Sequence, residues 1–199
     1  MILTQLREAT AESHASLEAA LPLRNAQLTR ARYIHLLQSF HGFFAAWERD
    51  ARLAADPFWT PLLTERARAH LLELDLAALG AAVPTQLAEE LPTLHNTAAL
   101  LGSMYVLEGS RLGGQYLVRD LEASLGLTPQ HGLSFFYGFG PETGSRWKAF
   151  CLLLEANVTP VMLAEVLGAA QDTFAAFHRW ILACDISREV CISVADSVK

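Results

Sequence analysis

The chain has 199 residues, a formal net charge of −6 and a hydrophobic content of 52%. This length predicts one domain with a core of its own. The Lys and Arg residues are scattered rather than gathered into a basic stripe, which argues against nucleic acid as a partner. The apolar runs are much shorter than the roughly 20 residues that a membrane helix needs, so no membrane helix is predicted.

The N-terminal residues and the cysteines indicate a compartment. The first ten residues carry acid and base early and lack the apolar stretch of a secretion signal, so the cytoplasm is the expected location. Cys151, Cys184 and Cys191 form neither a Cys-x-x-Cys pair nor a paired framework. Structural disulfides and a zinc ribbon are therefore not expected.

Prolines and N-cap residues divide the chain into about seven helical blocks without βαβ alternation, which predicts an all-α fold. In chain order the blocks run from Thr4 to Ala20, from Thr29 to Ala55, from Thr60 to Gly80, from Pro84 to a break at 92–96, from there to Gly126, from Gly144 to Glu155, and from Pro160 to Cys184. Thr60–Pro61 and Thr159–Pro160 each place a capping residue before a proline, as helix starts favour. Residues 128–141 are predicted to form an aromatic-rich loop. Residues 1–184 are expected to form the domain and 185–199 a frayed tail.

The block before Gly126 carries glycines at 102, 109, 113 and 114. Each glycine costs a helix interior about 1 kcal/mol relative to alanine, so four of them need a reason. At roughly 100° per residue, Gly102, Gly109 and Gly113 fall within about 40° of one another and form one strip without side chains. Such a strip permits either tight packing of another helix or the close approach of a flat ligand to the main chain.

His14 on the first block lies about 20° from the edge of a leucine stripe and is expected to point inward. Arg7 lies on the same side of this helix, two turns away. One interpretation is a core histidine beside a solvated base. The other is an imidazole that ligates iron and a guanidinium that meets a carboxylate, which together fit an anionic metal porphyrin.

A porphyrin would need a cover on its second face, and the glycine strip could supply it. Tyr105, Arg146 and Lys148 are candidates to meet its carboxylates, although each is also explained as an ordinary packing or surface residue. None of the remaining histidines forms a His-x3-His or Glu-x-x-His metal pair; they are His35, His41, His70, His95, His131 and His178. The chain lacks a Gly-x-Ser-x-Gly elbow, a Walker loop and a dinucleotide fingerprint, so serine-triad hydrolysis, phosphoryl transfer and tight NAD binding have no support.

At these residues the sequence resembles the heme oxygenase family, in particular its bacterial biliverdin-forming members. Leu-Arg-Glu-Ala-Thr-Ala-Glu-Ser-His at 6–14 is similar to the family's first-helix motif, and Tyr-Val-Leu-Glu-Gly-Ser-Arg-Leu-Gly-Gly-Gln at 105–115 is similar to its distal-helix signature. Phe-Tyr-Gly-Phe at 136–139 resembles the aromatic loop that follows. The similarity in helix order covers about residues 3–183.

The resemblance implies a single helical domain that holds heme between the first helix and a kinked distal helix. It implies that His14 is the axial iron ligand, that Gly109 and Gly113 contact heme through the main chain, and that Arg7 and Lys148 lie at the propionates. The implied reaction is oxidative cleavage of heme by O2 to biliverdin, CO and Fe(II). The implied partners are an external electron donor, either a ferredoxin or a flavoprotein reductase, and a downstream biliverdin acceptor such as a phytochrome.

Two positions depart from the family pattern. Many animal members have an aspartate just after the first glycine of the distal motif, where this chain has Ser110. We therefore expect Gly109, Ser110 and Gly113 to form the catalytic wall, with a differently built proton-delivery network. Leu152 replaces a basic residue expected one turn beyond Lys148, which leaves the in-plane orientation of heme open. Two other functions compete with the enzyme: a heme carrier or sensor without turnover, and a helical enzyme acting on an unrelated small molecule.

Overall fold

The computed structural model describes residues 1–21, 23 and 28–184. Within these residues the protein is all-α, as predicted, and eight α-helices follow one another along the chain. They are α1 (Ile2–Ala20), α2 (Arg30–Ala54), α3 (Thr60–Glu65), α4 (Ala69–Ala78), α5 (Thr97–Leu125), α6 (Ser134–Tyr137), α7 (Thr143–Asn157) and α8 (Leu163–Ala183). Two 3₁₀ turns, Pro57–Trp59 and Gly140–Glu142, precede α3 and α7.

Several predicted boundaries are confirmed by their capping contacts. The Thr29 side chain accepts a hydrogen bond from the Arg32 backbone N–H at 3.2 Å, which starts α2 as predicted. The Asn96 side chain caps α5 by accepting from the Ala99 N–H at 2.9 Å. Gly126 ends α5 with φ of 65°, a left-handed conformation that glycine adopts without a Cβ penalty.

Three other predicted boundaries are wrong. α1 begins at Ile2 rather than Thr4. Thr159–Pro160 forms a turn, with the Met162 N–H bonded to the Thr159 carbonyl at 3.0 Å, and α8 begins only at Leu163. The predicted 60–80 block is two helices, since residues 66–68 leave the helical path between α3 and α4. The expectations for Cys191 and the 185–199 tail lie outside the described residues.

The helix predicted from Pro84 does not form, and residues 81–96 instead cross α2 as an irregular strap. The Ala88 N–H bonds to the Gly42 carbonyl at 3.0 Å, and the Gln38 side chain donates to the Ala82 carbonyl at 2.9 Å. Part of the strap's backbone N–H and C=O groups thus form their hydrogen bonds with α2 rather than within helical turns of the strap itself. Two prolines, at 84 and 92, disfavour a helical continuation.

The core gathers aromatic rings from three helices around the middle of α2. The Phe43 and Phe177 ring centroids lie 4.6 Å apart, and those of Phe44 and Phe135 lie 5.1 Å apart in an edge-to-face arrangement. α8 packs against both α5 and α1, so these two helices share one neighbour. Among the described residues, no helix combines the length and apolarity needed to cross a membrane.

Candidate functional site

A cleft of about 870 Å³ opens between α1 and α5. Its volume lies within the roughly 300–1,000 Å³ typical of small-molecule sites. The inner surface is aromatic and comes from α2, α6 and α8: Phe40, Phe44, Phe135, Phe136, Phe174 and Phe177. An apolar interior with a few polar groups is the usual composition of a ligand site.

His14 faces this cleft from α1. Its ring makes an edge contact with Phe174, with the centroids 5.8 Å apart, and Nδ1 lies 3.6 Å from a carboxylate oxygen of Glu18 one turn later. The side chain is 58% exposed. His14 therefore points inward, as predicted, but it faces the open cleft and is not part of the core. With Nδ1 beside a carboxylate, Nε2 is the nitrogen left to accept a metal.

Arg7 also lines the cleft, near Tyr105 of α5. Burial raises the pKa of Tyr105, whereas the Arg7 charge lowers it. The same two effects act in the same directions on the pKa of Cys151 in α7, where Glu155 raises it further. Arg7 thus brings positive charge to the part of the cleft where α5 and α7 meet α1.

The four glycines of α5 divide into two pairs with different uses. A Cβ on Gly113 would meet nothing within 4 Å, and one on Gly109 would meet only the Trp147 ring at 3.7 Å. These two leave the main chain of α5 open along the cleft. By contrast, a Cβ on Gly102 would lie 2.2 Å from the Val166 carbonyl of α8, and one on Gly114 would lie 3.3 Å from the Phe136 carbonyl.

The single strip predicted over Gly102, Gly109 and Gly113 is therefore wrong at Gly102. That glycine permits two helices to touch, and the cleft begins only further along α5. Tight helix packing is realised at Gly102, whereas Gly109 and Gly113, in the middle of α5, leave open main chain where the approach of a flat ligand stays a prediction.

Ser110 lies on the cleft wall, and its hydroxyl contacts the guanidinium of Arg68, which does not line the cleft. The Ser110 hydroxyl donates to the Leu107 carbonyl at 2.7 Å and accepts from an Arg68 guanidinium N–H at 2.8 Å. Arg68 also donates to the carbonyls of Leu107 at 3.1 Å and Phe135 at 3.3 Å. Sequence reasoning missed Arg68, because nothing in the pattern around 66–68 shows that the guanidinium turns inward.

A buried charged cluster surrounds Arg68, and its members do not line the cleft. Arg66 pairs with Glu108, and Arg111 lies 3.6 Å from the other oxygen of the same carboxylate. Glu48 accepts from the backbone N–H groups of Arg68 and Ala69. Burial lowers the pKa of Arg68, as does Arg111, whereas Glu108 and Glu48 raise it.

Two predicted carboxylate-binding residues, Arg146 and Lys148, do not line the cleft. Arg146 pairs with Glu65 and Glu142 and lies over the Phe139 ring at 4.4 Å, so it joins the turn before α7 to α3. The Arg146 guanidinium is thus occupied by two glutamates, and its role at a ligand carboxylate stays a prediction. Lys148 is exposed on α7, next to the cleft residue Trp147. Its role at a carboxylate stays a prediction.

Comparisons with known proteins show the family of the chain. The family model described as heme oxygenase matches residues 1–183. The chain belongs to the heme oxygenase family. A heme oxygenase of Xanthomonas campestris pv. campestris (strain 8004) is 35% identical over 124 residues, which cover 59% of this chain and 69% of the relative.

The fold is likewise that of a heme oxygenase. A crystal structure of the NO- and CO-bound heme oxygenase from Neisseria meningitidis is similar with a TM-score of 0.72, at 24% sequence identity and over 92% of each chain.

The cleft residues fit a heme group in three respects. His14 supplies an imidazole, Arg7 a guanidinium suited to a carboxylate, and Gly109 and Gly113 an open stretch of main chain. Of the residues predicted to form the site, six line the cleft together: Arg7, His14, Tyr105, Gly109, Ser110 and Gly113.

Proposed function

We propose that this protein degrades heme to biliverdin, CO and Fe(II), using O2 and electrons from an external donor. The observation that carries the proposal is the pairing, across one cleft, of an exposed imidazole with a helix wall that lacks side chains at Gly109 and Gly113. Such a pairing suits a flat macrocycle, because an imidazole can hold its iron on one face while the bare main chain lets the helix come close to the other. Membership in the heme oxygenase family supports the same assignment.

In this proposal His14 would hold the iron of bound heme through Nε2. Glu18, 3.6 Å from Nδ1, favours the tautomer that carries its proton on Nδ1. Phe174 lies against the imidazole ring, with the ring centroids 5.8 Å apart. The iron of bound heme supplies the chemistry toward O2, and the protein supplies position and electrostatics.

Arg7 and Tyr105 are proposed to receive one propionate at the end of the cleft next to α7. Lys148, which is exposed on α7 next to the cleft residue Trp147, remains the proposed second anchor. The other cleft walls are apolar, and leucines form much of the remaining surface: Leu17, Leu21, Leu23, Leu112 and Leu117. Such a site would orient the charged edge of heme toward Arg7 and its apolar edges inward.

Gly109, Ser110 and Gly113 form the wall proposed to face O2. Ser110 has a hydroxyl in place of a carboxylate. It can accept one hydrogen bond while donating another, but it carries no negative charge at neutral pH. Proton delivery would therefore depend on the hydrogen bonds behind Ser110, which end at Arg68 and the Leu107 carbonyl.

An aerobic turnover assay tests this function. Purified protein is mixed with hemin, a reductant and air, and absorbance is followed while the pigment is identified by chromatography. We expect loss of the Soret band and growth of biliverdin absorbance. An intact heme spectrum under these conditions would contradict the enzyme and favour a carrier or sensor. Failure to form any Soret complex would favour the helical enzyme acting on an unrelated molecule.

The ligand is tested by His14→Ala, with His70→Ala as the matched control. His70 is an exposed histidine of α4 that does not line the cleft. We expect His14→Ala to lose the axial imidazole signature and turnover, and His70→Ala to keep both. Unchanged heme spectra in His14→Ala would transfer the role to another histidine.

The electron donor and the fate of the product belong to the same proposal. A ferredoxin or a flavoprotein reductase is the proposed donor, since a separate protein must deliver the electrons if the chain carries no redox group of its own. A biliverdin-binding photoreceptor such as a phytochrome is the proposed acceptor. Turnover with each donor class in place of a chemical reductant distinguishes the two donors.

A further inference from the structure

The indole N–H of Trp147 has no acceptor among the described residues. The other three tryptophans each donate this proton to an oxygen of the protein at 3.3 Å or less: Trp47 to Ser103, Trp59 to Thr97 and Trp180 to Ser39. A buried indole N–H normally finds such a partner. In the part of the chain that the structure describes, the fully buried side-chain atoms without a partner do not include the Trp147 nitrogen, so this N–H reaches open space.

Trp147 lies on α7 and lines the cleft together with Arg7 and Tyr105. Its ring lies beside that of Tyr105, with the centroids 5.6 Å apart. Burial raises the pKa of the Tyr105 hydroxyl and the nearby Arg7 charge lowers it, so the guanidinium is close to the same place. An unused N–H donor and a positive charge therefore share the end of the cleft where α1, α5 and α7 meet.

Neighbouring residues hold the Trp147 ring in place. Its six-membered ring would lie 3.7 Å from a Cβ on Gly109, which leaves the five-membered ring, with the N–H, on the side away from that glycine. The Trp147 ring centroid is 6.0 Å from that of Phe150, which is fully buried beneath the Arg66 guanidinium at 5.4 Å. Arg66 also donates to the Arg146 carbonyl at 3.3 Å. The first turn of α7 is thus tied to the buried charged cluster, and the indole has a fixed base.

We propose that the Trp147 N–H donates a hydrogen bond to a carboxylate of the bound macrocycle, at the same end of the cleft as Arg7. Indole is only a donor and an ionised carboxylate is only an acceptor, so the two groups are matched. A hydrogen bond to an ionised acceptor is stronger than one between neutral groups. Trp147 would therefore supply a neutral donor on α7, the helix on which Leu152 takes the place of an expected base.

This inference deepens the proposed function and rests on it, because the ligand must be a macrocycle with ionised side chains. Zinc protoporphyrin and its dimethyl ester test the contact without turnover, since zinc has no redox chemistry and only the free acid carries carboxylates. Trp147→Phe keeps an aromatic ring and removes the N–H. We expect it to weaken binding of the free acid about fivefold to tenfold, as the loss of one partly exposed hydrogen bond to a charged group requires, and to change ester binding less than about twofold.

Trp59→Phe is the matched control, because it removes an indole N–H that does not line the cleft. It should leave the ratio of the two affinities as in the wild type. Equal losses for the acid and the ester in Trp147→Phe, or no loss for the acid, would overturn the inference and leave the proposed function intact. Wild-type protein that binds neither porphyrin would refute the proposed function, and the inference with it.

A second measurement uses the wild-type protein and records the indole N–H proton resonances in its complexes with the free acid and with the ester. The macrocycle shifts these resonances equally in both complexes, so a difference between them reports the carboxylate. We expect the Trp147 resonance to lie further downfield in the free-acid complex, and those of Trp47, Trp59 and Trp180 to coincide. A Trp147 resonance at the same position in both complexes would overturn the inference even if Trp147→Phe failed to fold.

Discussion

Gly102 and Gly113 lie on the same helix and are predicted to respond in opposite ways to alanine. At Gly102 the new Cβ would be 2.2 Å from the Val166 carbonyl and 3.0 Å from the Ala169 Cβ, so α5 and α8 must move apart. Overpacking of this kind costs about 1–3 kcal/mol, and here the upper end applies because the obstacle is backbone. The gain in helix propensity is about 1 kcal/mol, which leaves a net loss of about 2 kcal/mol.

At Gly113 no atom lies within 4 Å of the new Cβ, so only the propensity term remains. Gly113→Ala should therefore raise the free energy of unfolding by about 0.5–1 kcal/mol. The same methyl group would project into the cleft and should weaken hemin binding. One substitution is thus expected to stabilise the protein while impairing the site.

Urea and thermal unfolding of the heme-free variants measure both effects. For a protein of this size about 1 kcal/mol corresponds to about 2–4 °C, so Gly102→Ala should lower Tm by about 4–8 °C and Gly113→Ala should raise it by about 1–4 °C. Hemin titration gives the affinity. The reasoning is refuted if Gly102→Ala is as stable as the wild type, or if Gly113→Ala is destabilised and binds hemin normally.

Three further predictions concern capping, charge and pH. Thr29→Ala should cost about 1 kcal/mol of unfolding free energy because it removes the α2 cap, whereas Thr159→Ala, in a turn, should change it by less than about 0.5 kcal/mol; equal losses would contradict the assigned helix starts. Glu108→Gln should destabilise by about 3–5 kcal/mol in urea unfolding, since it leaves Arg66 and Arg111 buried without their carboxylate, and a change below about 1 kcal/mol would show that the pairs are unimportant. Burial raises the pKa of Asp75 even though the N–H groups of Phe135 and Ser134 lower it, so the folded state holds this proton more tightly than the unfolded state. The stability of the wild type relative to Asp75→Asn should therefore be highest below about pH 4 and fall as pH rises through the folded pKa, as urea unfolding across a pH series would show; a relative stability that rises with pH would reverse the assignment.

The parts of the site that were predictable are those that a single helix determines. His14 and Arg7 share a face of α1 by periodicity alone, and Gly109 and Gly113 share a face of α5 in the same way. Their positions in the cleft follow once the two helices face each other. Gly102 could not be separated from them, because helical spacing says which residues share a face and not which neighbour that face meets.

The parts that were missed depend on contacts between distant segments. Arg68 turns inward, where its guanidinium N–H groups donate hydrogen bonds to carbonyls of α5 and α6. No local pattern in the sequence indicates those partners. The strap at 81–96 is non-helical because it bonds to α2. Thr159 and Thr60 have the residue types of helix caps, yet neither side chain caps its helix in the structure. Arg146 has the charge expected of a carboxylate-binding residue but is paired with two glutamates.

The cleft lies between α1 and α5, and both of these helices pack against α8. Where α5 and α8 touch, their spacing depends on small residues, since a Cβ on Gly102 would lie 3.0 Å from the Ala169 Cβ of α8 and Ala169 does not line the cleft. Natural variation in the side-chain volume of α8 offers a route by which related proteins could adjust the gap while leaving every ligand-contacting residue unchanged.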